Sequence, residues 1–455
     1  MFTNKAAWFF WLIITIGLVI YLVMQLNSKD KTVFLPGKTS HGHHQIEMAC
    51  SACHTDAFGG KDVLQNACMS CHGEELKIAD DSHPKSKFTD PRNADRVTKL
   101  DARACITCHV EHQEEITLAM GVTVPEDFCF KCHEDVAEER PSHAGLDFYS
   151  CATAGCHNFH DNRALYEDFL EKHLGQPTVL DEAKVTSKSE LQQYLLIVDY
   201  PIAQYPIKQL NKNDIDAPSE AAKNQDINRD WLETAHAEAG VNCTACHTTK
   251  TESNQTTWTD KPTHEACATC HKPEQDGFLA GKHGMRLAQN LTPMKPALAK
   301  IEMKADAHYK EMTSISCHSS HRFDIKQSAV ASCLSCHNDQ HSLSYKKSLH
   351  YVLWQKEIAG QAKDSSGVSC ATCHMPRITH KKGEARVVIS QHNQNDNLRP
   401  NEKMLRSVCM SCHGLEFSID ALADTGLIKN NFSSSPGIHV ESMDMVRKRV
   451  QEKSN

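Results

Sequence analysis

The stretch Cys333-Leu334-Ser335-Cys336-His337-Asn338-Asp339-Gln340-His341 carries two thiols three residues apart, a histidine directly after the second, and another histidine four residues further on. In that spacing two thiols can bond the two vinyl groups of one porphyrin while the adjacent imidazole is carried under the iron as axial ligand. The pattern repeats along the chain. Of its 21 cysteines, twenty fall in ten pairs that each close on a histidine, nine as C-x-x-C-H and one as C-x-x-x-x-C-H. Besides Cys333 and Cys336 with His337, they are Cys50 and Cys53 with His54, Cys68 and Cys71 with His72, Cys105 and Cys108 with His109, and Cys129 and Cys132 with His133. Further on come Cys151 and Cys156 with His157, Cys243 and Cys246 with His247, Cys267 and Cys270 with His271, Cys370 and Cys373 with His374, and Cys409 and Cys412 with His413.

Zinc and disulfide chemistry account for this pattern poorly. A zinc site needs two such half-sites per ion and does not call for a histidine after every second cysteine. Disulfides within the pairs would strain a tight turn and leave ten histidines unexplained. Covalent c-type haem uses all three residues of every motif, so ten haems are expected.

The remaining histidines fit the same reading. Of 29 histidines, ten belong to the paired motifs and nineteen are left, in a chain with only 6% aromatic residues. Six-coordinate haem with two imidazoles needs one further histidine per iron, and the supply covers it. His112 and His160 follow His109 and His157 by three residues, a spacing that on a short helix points both rings to one side, toward a neighbouring haem. His321 follows His318 by three residues too, repeating the C-H-x-x-H string. His41, His43 and His44 precede the first motif, and His83, His143, His173, His236, His264, His283, His341, His350, His380 and His392 lie between later ones. A single one of these is readily a solvated surface residue, but the set as a whole is not.

Cys317 is the odd cysteine. In Ser314-Ile315-Ser316-Cys317-His318 the first thiol of a motif has become serine. The residues read either as an eleventh haem held by one thioether bond, with His318 as its axial ligand, or as a stray Cys-His in a loop.

Residues 6–26, AAWFFWLIITIGLVIYLVMQL, are uncharged and apolar. At 1.5 Å per residue they span a hydrocarbon core of about 30 Å. No small-x-small cleavage site follows, which predicts an uncleaved anchor in the inner membrane. Thioether haem is assembled outside the bacterial cytoplasm, so the bulk of the chain is expected in the periplasm. The formal charge of −8 excludes a nucleic-acid role and favours partners with basic docking faces.

So many porphyrins replace side-chain core with cofactor. The expected fold is mainly α with extensive loops, wrapped on haem, with little sheet and an N-terminal transmembrane helix. Motif spacing divides the chain into an anchor over 1–30, a pentahaem block over 31–175, a haem-free connector over 176–230 with one short helix and a proline-bearing loop, and a multihaem block over 231–455. The last block ends in two helices joined by a turn at 433–437.

Several strings in the last block carry a family likeness. Cys317-His318-Ser-Ser-His321-Arg322-Phe323, the Cys333–His341 run, and Tyr345-Lys-Lys-Ser-Leu-His350 together resemble the octahaem hydroxylamine oxidoreductase family. Cys370-Ala-Thr-Cys373-His374-Met375-Pro376 resembles a string shared with the related pentahaem nitrite reductases. The resemblance covers roughly residues 231–425, and the first block is similar only to small class III multihaem cytochromes. It implies a full haem site at Cys317 and His318 and a catalytic haem at Cys267, Cys270 and His271. Candidate distal groups for that haem are His283, Arg286, Asp306 and His308. An arginine and a protonatable histidine over an open iron would suit reduction of a bound anion. His283 could instead ligate the iron and close the site.

Two departures weaken a catalytic reading. No tyrosine follows His413, where the oxidising hydroxylamine enzymes place a cross-linking tyrosine, and no motif ends in lysine, as the catalytic motif of the pentahaem nitrite reductases does. Two functions are therefore expected to compete. One is an electron conduit between a membrane quinol-oxidising or other redox protein and a periplasmic or outer-membrane acceptor. The other is a reductase of nitrite, hydroxylamine or a sulfur oxyanion at one open haem.

Overall fold

A turn of helix forms at each of five attachment motifs where the histidine amide reaches back to the carbonyl of the first cysteine. In the computed structural model that bond measures 2.8 Å from His54 to Cys50, 2.9 Å from His109 to Cys105, 2.8 Å from His271 to Cys267, 3.0 Å from His337 to Cys333 and 2.9 Å from His413 to Cys409. It is the i to i−4 bond of an α-helix, which brings residues three and four apart to one face. The structure describes residues 4–56, 59–140, 143, 159–161, 167–187, 189, 193–195, 200–250, 253, 255–398 and 403–454. The motif formed by Cys151, Cys156 and His157 lies outside them.

The described chain is mainly helical, with two small antiparallel hairpins as its sheet. Its contacts divide it into two compact units, residues 1–73 with 84–125 and residues 74–83 with 126–455. The first unit begins with helix Asn4–Asn27, which contains the one described segment long and apolar enough to cross a membrane. Its Trp8, Phe9 and Ile14 are more than half exposed, as a face meant for lipid would be. Three motifs follow: Cys50–His54, Cys68–His72 on helix Lys61–Ala79, and Cys105–His109.

In the second unit short helices begin on side-chain caps that satisfy their free amides. Asn224 caps Gln225–Leu232, Asp324 caps Ile325–Leu334, Ser348 caps Leu349–Ile358 and Ser369 caps the motif helix Cys370–His374. The hairpins each follow a motif. Strand β1 (Thr248–Lys250) leaves His247 and pairs with β2 (Thr256–Trp258), while β3 (Arg377–Lys382) follows His374 and pairs with β4 (Ala385–Ser390), turning at Gly383 with a positive φ of 57°.

The tail carries the largest side-chain core. Leu415, Ile419 and Leu422 of helix Leu415–Ala423 pack with Met443 and Val446 of helix Ser442–Ser454, and with Leu170, Met404 and Leu405. The stretch expected as one tail helix is two, since Asp424 leaves the first helix and caps Thr425–Lys429 through the Leu427 amide. Away from this module buried apolar clusters are small, such as Val387 with Ile389, and Val330 with Tyr345 and Trp354.

Candidate functional site: histidine pairs at the attachment motifs

The attachment turns present their histidines to partners from elsewhere in the chain. Ring centres lie 6.0 Å apart for His72 and His43, 6.0 Å for His133 and His83, 5.8 Å for His247 and His321, and 6.0 Å for His271 and His236. They lie 6.3 Å apart for His337 and His283, 5.9 Å for His374 and His341, and 6.3 Å for His413 and His350. His318, after the lone Cys317, stands 6.3 Å from His392. Two metal–imidazole bonds of about 2 Å each, with about 1.1 Å from each nitrogen to its ring centre, separate the centres by about 6 Å. Edge-to-face aromatic pairs share that range. What sets these apart is composition, since every pair joins one motif histidine to one from outside the paired motifs. Rings in plain stacking contact sit closer, as His83 does on Phe159 at 4.1 Å and His413 on Phe417 at 4.8 Å.

Backbone carbonyls fix which nitrogen faces the partner. The Nδ1–H of His109 donates to Gly121 O at 3.0 Å, that of His247 to Thr259 O at 2.8 Å and that of His413 to Thr178 O at 2.9 Å. Outside the motifs, His83 donates to Phe159 O at 2.5 Å, His112 to Gly37 O at 2.9 Å, His341 to Ile428 O at 2.5 Å and His392 to Ser390 O at 2.8 Å. Each bond commits Nδ1 and leaves Nε2 as a lone-pair donor, the tautomer a haem iron needs. The hairpins explain two of the placements, because Thr259 follows β2 and Ser390 ends β4. His43 meets a carboxylate instead, Glu111 Oε1 at 2.6 Å, and the Ser40 amide and hydroxyl also donate to Glu111. Burial opposes charge on Glu111, but these donors outweigh it and hold its carboxyl at about 2. Burial pushes the His236, His283, His350 and His374 imidazoles down to about 4, which keeps them in the neutral, ligating form.

Among the described second thiols Cys71 alone is exposed, and those of both blocks are otherwise half-buried. Cys71 is exposed on helix Lys61–Ala79, with its Sγ 3.8 Å from Ser70 Oγ. Cys108 is half-buried and held through its backbone, its carbonyl accepting from the Thr123 amide at 2.7 Å and the Thr123 hydroxyl at 3.0 Å. Cys132 is half-buried within helix Phe130–His133, one residue before a histidine that faces His83. Cys156, like Cys151, falls outside the described residues. The assignment of Cys71, Cys108, Cys132 and Cys156 to thioether bonds therefore rests on motif spacing, not on a packed pocket at sulfur. By contrast Cys373 and Cys409 of the second unit pack against a hydrophobic core.

Several expectations are corrected by the geometry of the histidines. His112 and His321 do not sit on short helices after their motifs, for both adopt left-handed backbone with φ of 66° and 67°. A turn throws each ring away from the preceding motif, and a Cβ at Gly37 would collide with the His112 carbonyl. His160 has its Nδ1 3.1 Å from Asp81 Oδ1, in a bend rather than a helix. His283 does not stand over His271. Helix Lys272–Ala280 begins at that motif and carries the chain about 14 Å along its axis before the turn that holds His283, so His283 meets His337. Arg286 donates to Thr292 O at 2.9 Å, and the segment with Asp306 and His308 is tied to the Cys333 motif through Lys304 N to Cys336 O at 2.8 Å. The imidazole that faces His271 is that of His236. Of the other expected ligands, His173 donates to Phe169 O at 2.7 Å, and His143 donates its backbone amide to Arg140 O at 2.8 Å.

The turn at Cys317 is intact although its first thiol is missing. The His318 amide bonds Ser314 O at 3.0 Å, as motif histidines bond their first cysteine, and Thr313 with Ser316 forms a capping box over it. Ser328 Oγ lies 3.2 Å from His318 Nδ1, and Ser332 Oγ donates to the Cys317 carbonyl at 2.6 Å. Both serines are on the helix that delivers Cys333.

Neighbouring sites in the second unit touch through such elements. The Cys317–Phe323 loop brings His318 to His392, His321 to His247, and Phe323 onto His236 at 4.6 Å, the residue that faces His271. The Cys333 and Cys370 sulfurs lie beside each other, and Cys373 and Cys409 both pack against the tail core. The His318 loop thus touches the sites of His247 and His271, and the motifs of His337, His374 and His413 lie beside one another.

Residues 42–134 match the family model for cytochrome c3. Neither the comparison with curated proteins nor that with solved structures finds a match. The matched segment holds the first four attachment motifs, and the match supports covalently bound c-type haem in a multihaem cytochrome there. The paired imidazoles fit that cofactor. Bound there, haem supplies a one-electron couple, and the residues around it set its ligation and its access to solvent.

Proposed function

We propose that the chain is a membrane-anchored, periplasmic electron conduit of an anaerobic respiratory system, carrying eleven haems. It would pass electrons from a membrane quinol-oxidising or other redox protein to a periplasmic or outer-membrane acceptor. The observation that carries this reading is the pairing itself: eight motif histidines, His318 included, each face a second imidazole at 5.8 to 6.3 Å. A capped iron exchanges electrons but binds no substrate. The contacts between neighbouring sites, such as Phe323 and His321 from the His318 loop on His236 and His247, support transport within the second unit. Helix Asn4–Asn27 supports attachment to the inner membrane.

The likeness to hydroxylamine and nitrite enzymes points to His271 as the place for a reaction. His236 stands where a substrate would bind, and its burial keeps it neutral. Chemistry on nitrite, hydroxylamine or a sulfur oxyanion would need that ligand displaced, so the conduit reading is preferred. The test is the haem-to-protein ratio of the purified full chain, by pyridine haemochrome against intact mass. Eleven per chain supports the reading, ten removes the Cys317 site, and four or fewer would confine haem to the matched segment.

A further inference from the structure

Residues 176–230 contain no cysteine or histidine, yet this segment supplies a side chain to a haem site. Tyr194 is half-buried against Val387, Ile389 and Ile378, and its hydroxyl lies 2.7 Å from His271 Nδ1. The same hydroxyl lies 3.1 Å and 3.0 Å from the two carboxylate oxygens of Glu274, which stands one helical turn after His271. One hydroxyl cannot donate to both neighbours, so the assignment of protons follows from chemistry. A carboxylate only accepts, and so Tyr194 Oη–H donates to Glu274 while His271 Nδ1–H donates to Tyr194 Oη.

We infer that Tyr194 and Glu274 are positioning residues that lower the reduction potential of the haem ligated by His271, by loading negative charge onto that imidazole. This rests on the conduit reading, with His271 and His236 as the two axial ligands. A histidine that donates to an acceptor polarised by a carboxylate is a stronger electron donor to its metal, and that favours the ferric state. The contrast is with His109, His247 and His413, whose Nδ1–H groups meet neutral backbone carbonyls. His337 has Asp339 Oδ2 3.6 Å from its Nδ1, which is beyond hydrogen-bond reach. No proton is gained or lost at the relay. The iron takes one electron from a neighbouring site and passes one on, and the relay sets how readily it does so.

The test uses the full-length, haem-loaded protein. Tyr194→Phe keeps the ring that packs on Val387 and Ile389 and removes the hydroxyl; Glu274→Gln keeps the hydroxyl contact and removes the charge. Spectroelectrochemical titration of each variant against wild type should show one haem shifted upward, with reduction favoured about tenfold, which is about 59 mV for a one-electron couple. A packing role alone would leave Glu274→Gln unshifted. Unchanged potentials in both variants, or a downward shift in either, overturn the relay. Paramagnetic resonance of the wild type keeps the two readings distinct. A high-spin haem that Tyr194→Phe perturbs would overturn the ligation on which the relay rests, whereas wholly low-spin haem with unmoved potentials would overturn the relay alone.

Discussion

The imidazoles of His318 and His392 face each other with ring centres 6.3 Å apart, the same separation as in His337 with His283 and His413 with His350, although only one thiol precedes His318. Everything a haem site needs except one cysteine is present there: the turn, the axial histidine, its opposing partner, and a serine to hold Nδ1. Cys317→Ala should therefore lower the haem count by one per chain, read as the pyridine haemochrome ratio. An unchanged ratio would remove the eleventh site.

Because the Ser314 carbonyl already accepts the His318 amide, Ser314→Cys should form a second thioether without disturbing the turn. A vinyl group left unbonded stays conjugated to the porphyrin and displaces its absorption to longer wavelength. The wild-type haemochrome should contain one such displaced component in eleven, and the variant none. A variant spectrum identical to wild type would mean that Ser314 does not face a vinyl group.

His283→Ala should open one iron, and the open iron should be the one bound by His337. Carbon monoxide binding and a high-spin ferric signal would report it. His236→Ala should do the same at His271. If His283→Ala instead changed the spectroscopic signature that Tyr194→Phe also perturbs, the pairing of His283 with His337 would be wrong.

The His318 site lies between those of His271 and His337, so its loss should interrupt the series. In Cys317→Ala, stopped-flow reduction by a small donor should split into two phases in place of one. Retention of the wild-type time course would mean electrons pass around this position.

Met443 is fully buried where the tail helices meet, with 0% exposure. Met443→Ala should cost about 2–5 kcal/mol by leaving a cavity among Leu405, Leu415 and Ile419. Urea unfolding followed by circular dichroism should show a lower midpoint at an unchanged slope. Removal of residues 1–28 should leave a soluble, fully haem-loaded protein; lost haem would show that the first helix has a role beyond anchoring.

The attachment motifs were legible because thioether chemistry fixes thiols and imidazole within a few consecutive residues, so that even the exposed Cys71 is assigned by spacing. The pairings were not, because several depend on groups distant in the chain, such as the Thr178 carbonyl for His413 or the Ile428 carbonyl for His341. His112 and His321 defeated a helical reading since their positive φ leaves no mark in residue type; glycine would have given notice, histidine does not. His283 looked close to His271 in sequence, but an intervening helix moves it to the site of His337. The tail break was legible in retrospect, for Asp424 before Thr425-Gly426-Leu427 is a capping signal. Tyr194 carried no signal at all, since a tyrosine in an apolar run reads as core, and its hydroxyl matters only because helix Lys272–Ala280 presents Glu274 beside it.

The measurement that tests the conduit most directly is the paramagnetic resonance spectrum of the oxidised full-length protein, recorded with and without nitrite or hydroxylamine. Low-spin ferric signals throughout, unmoved by either ligand, are the expected result, a second imidazole closing every iron as it faces the eight paired motif histidines. A high-spin signal that shifts when nitrite or hydroxylamine is added would contradict it and establish an open, reactive haem.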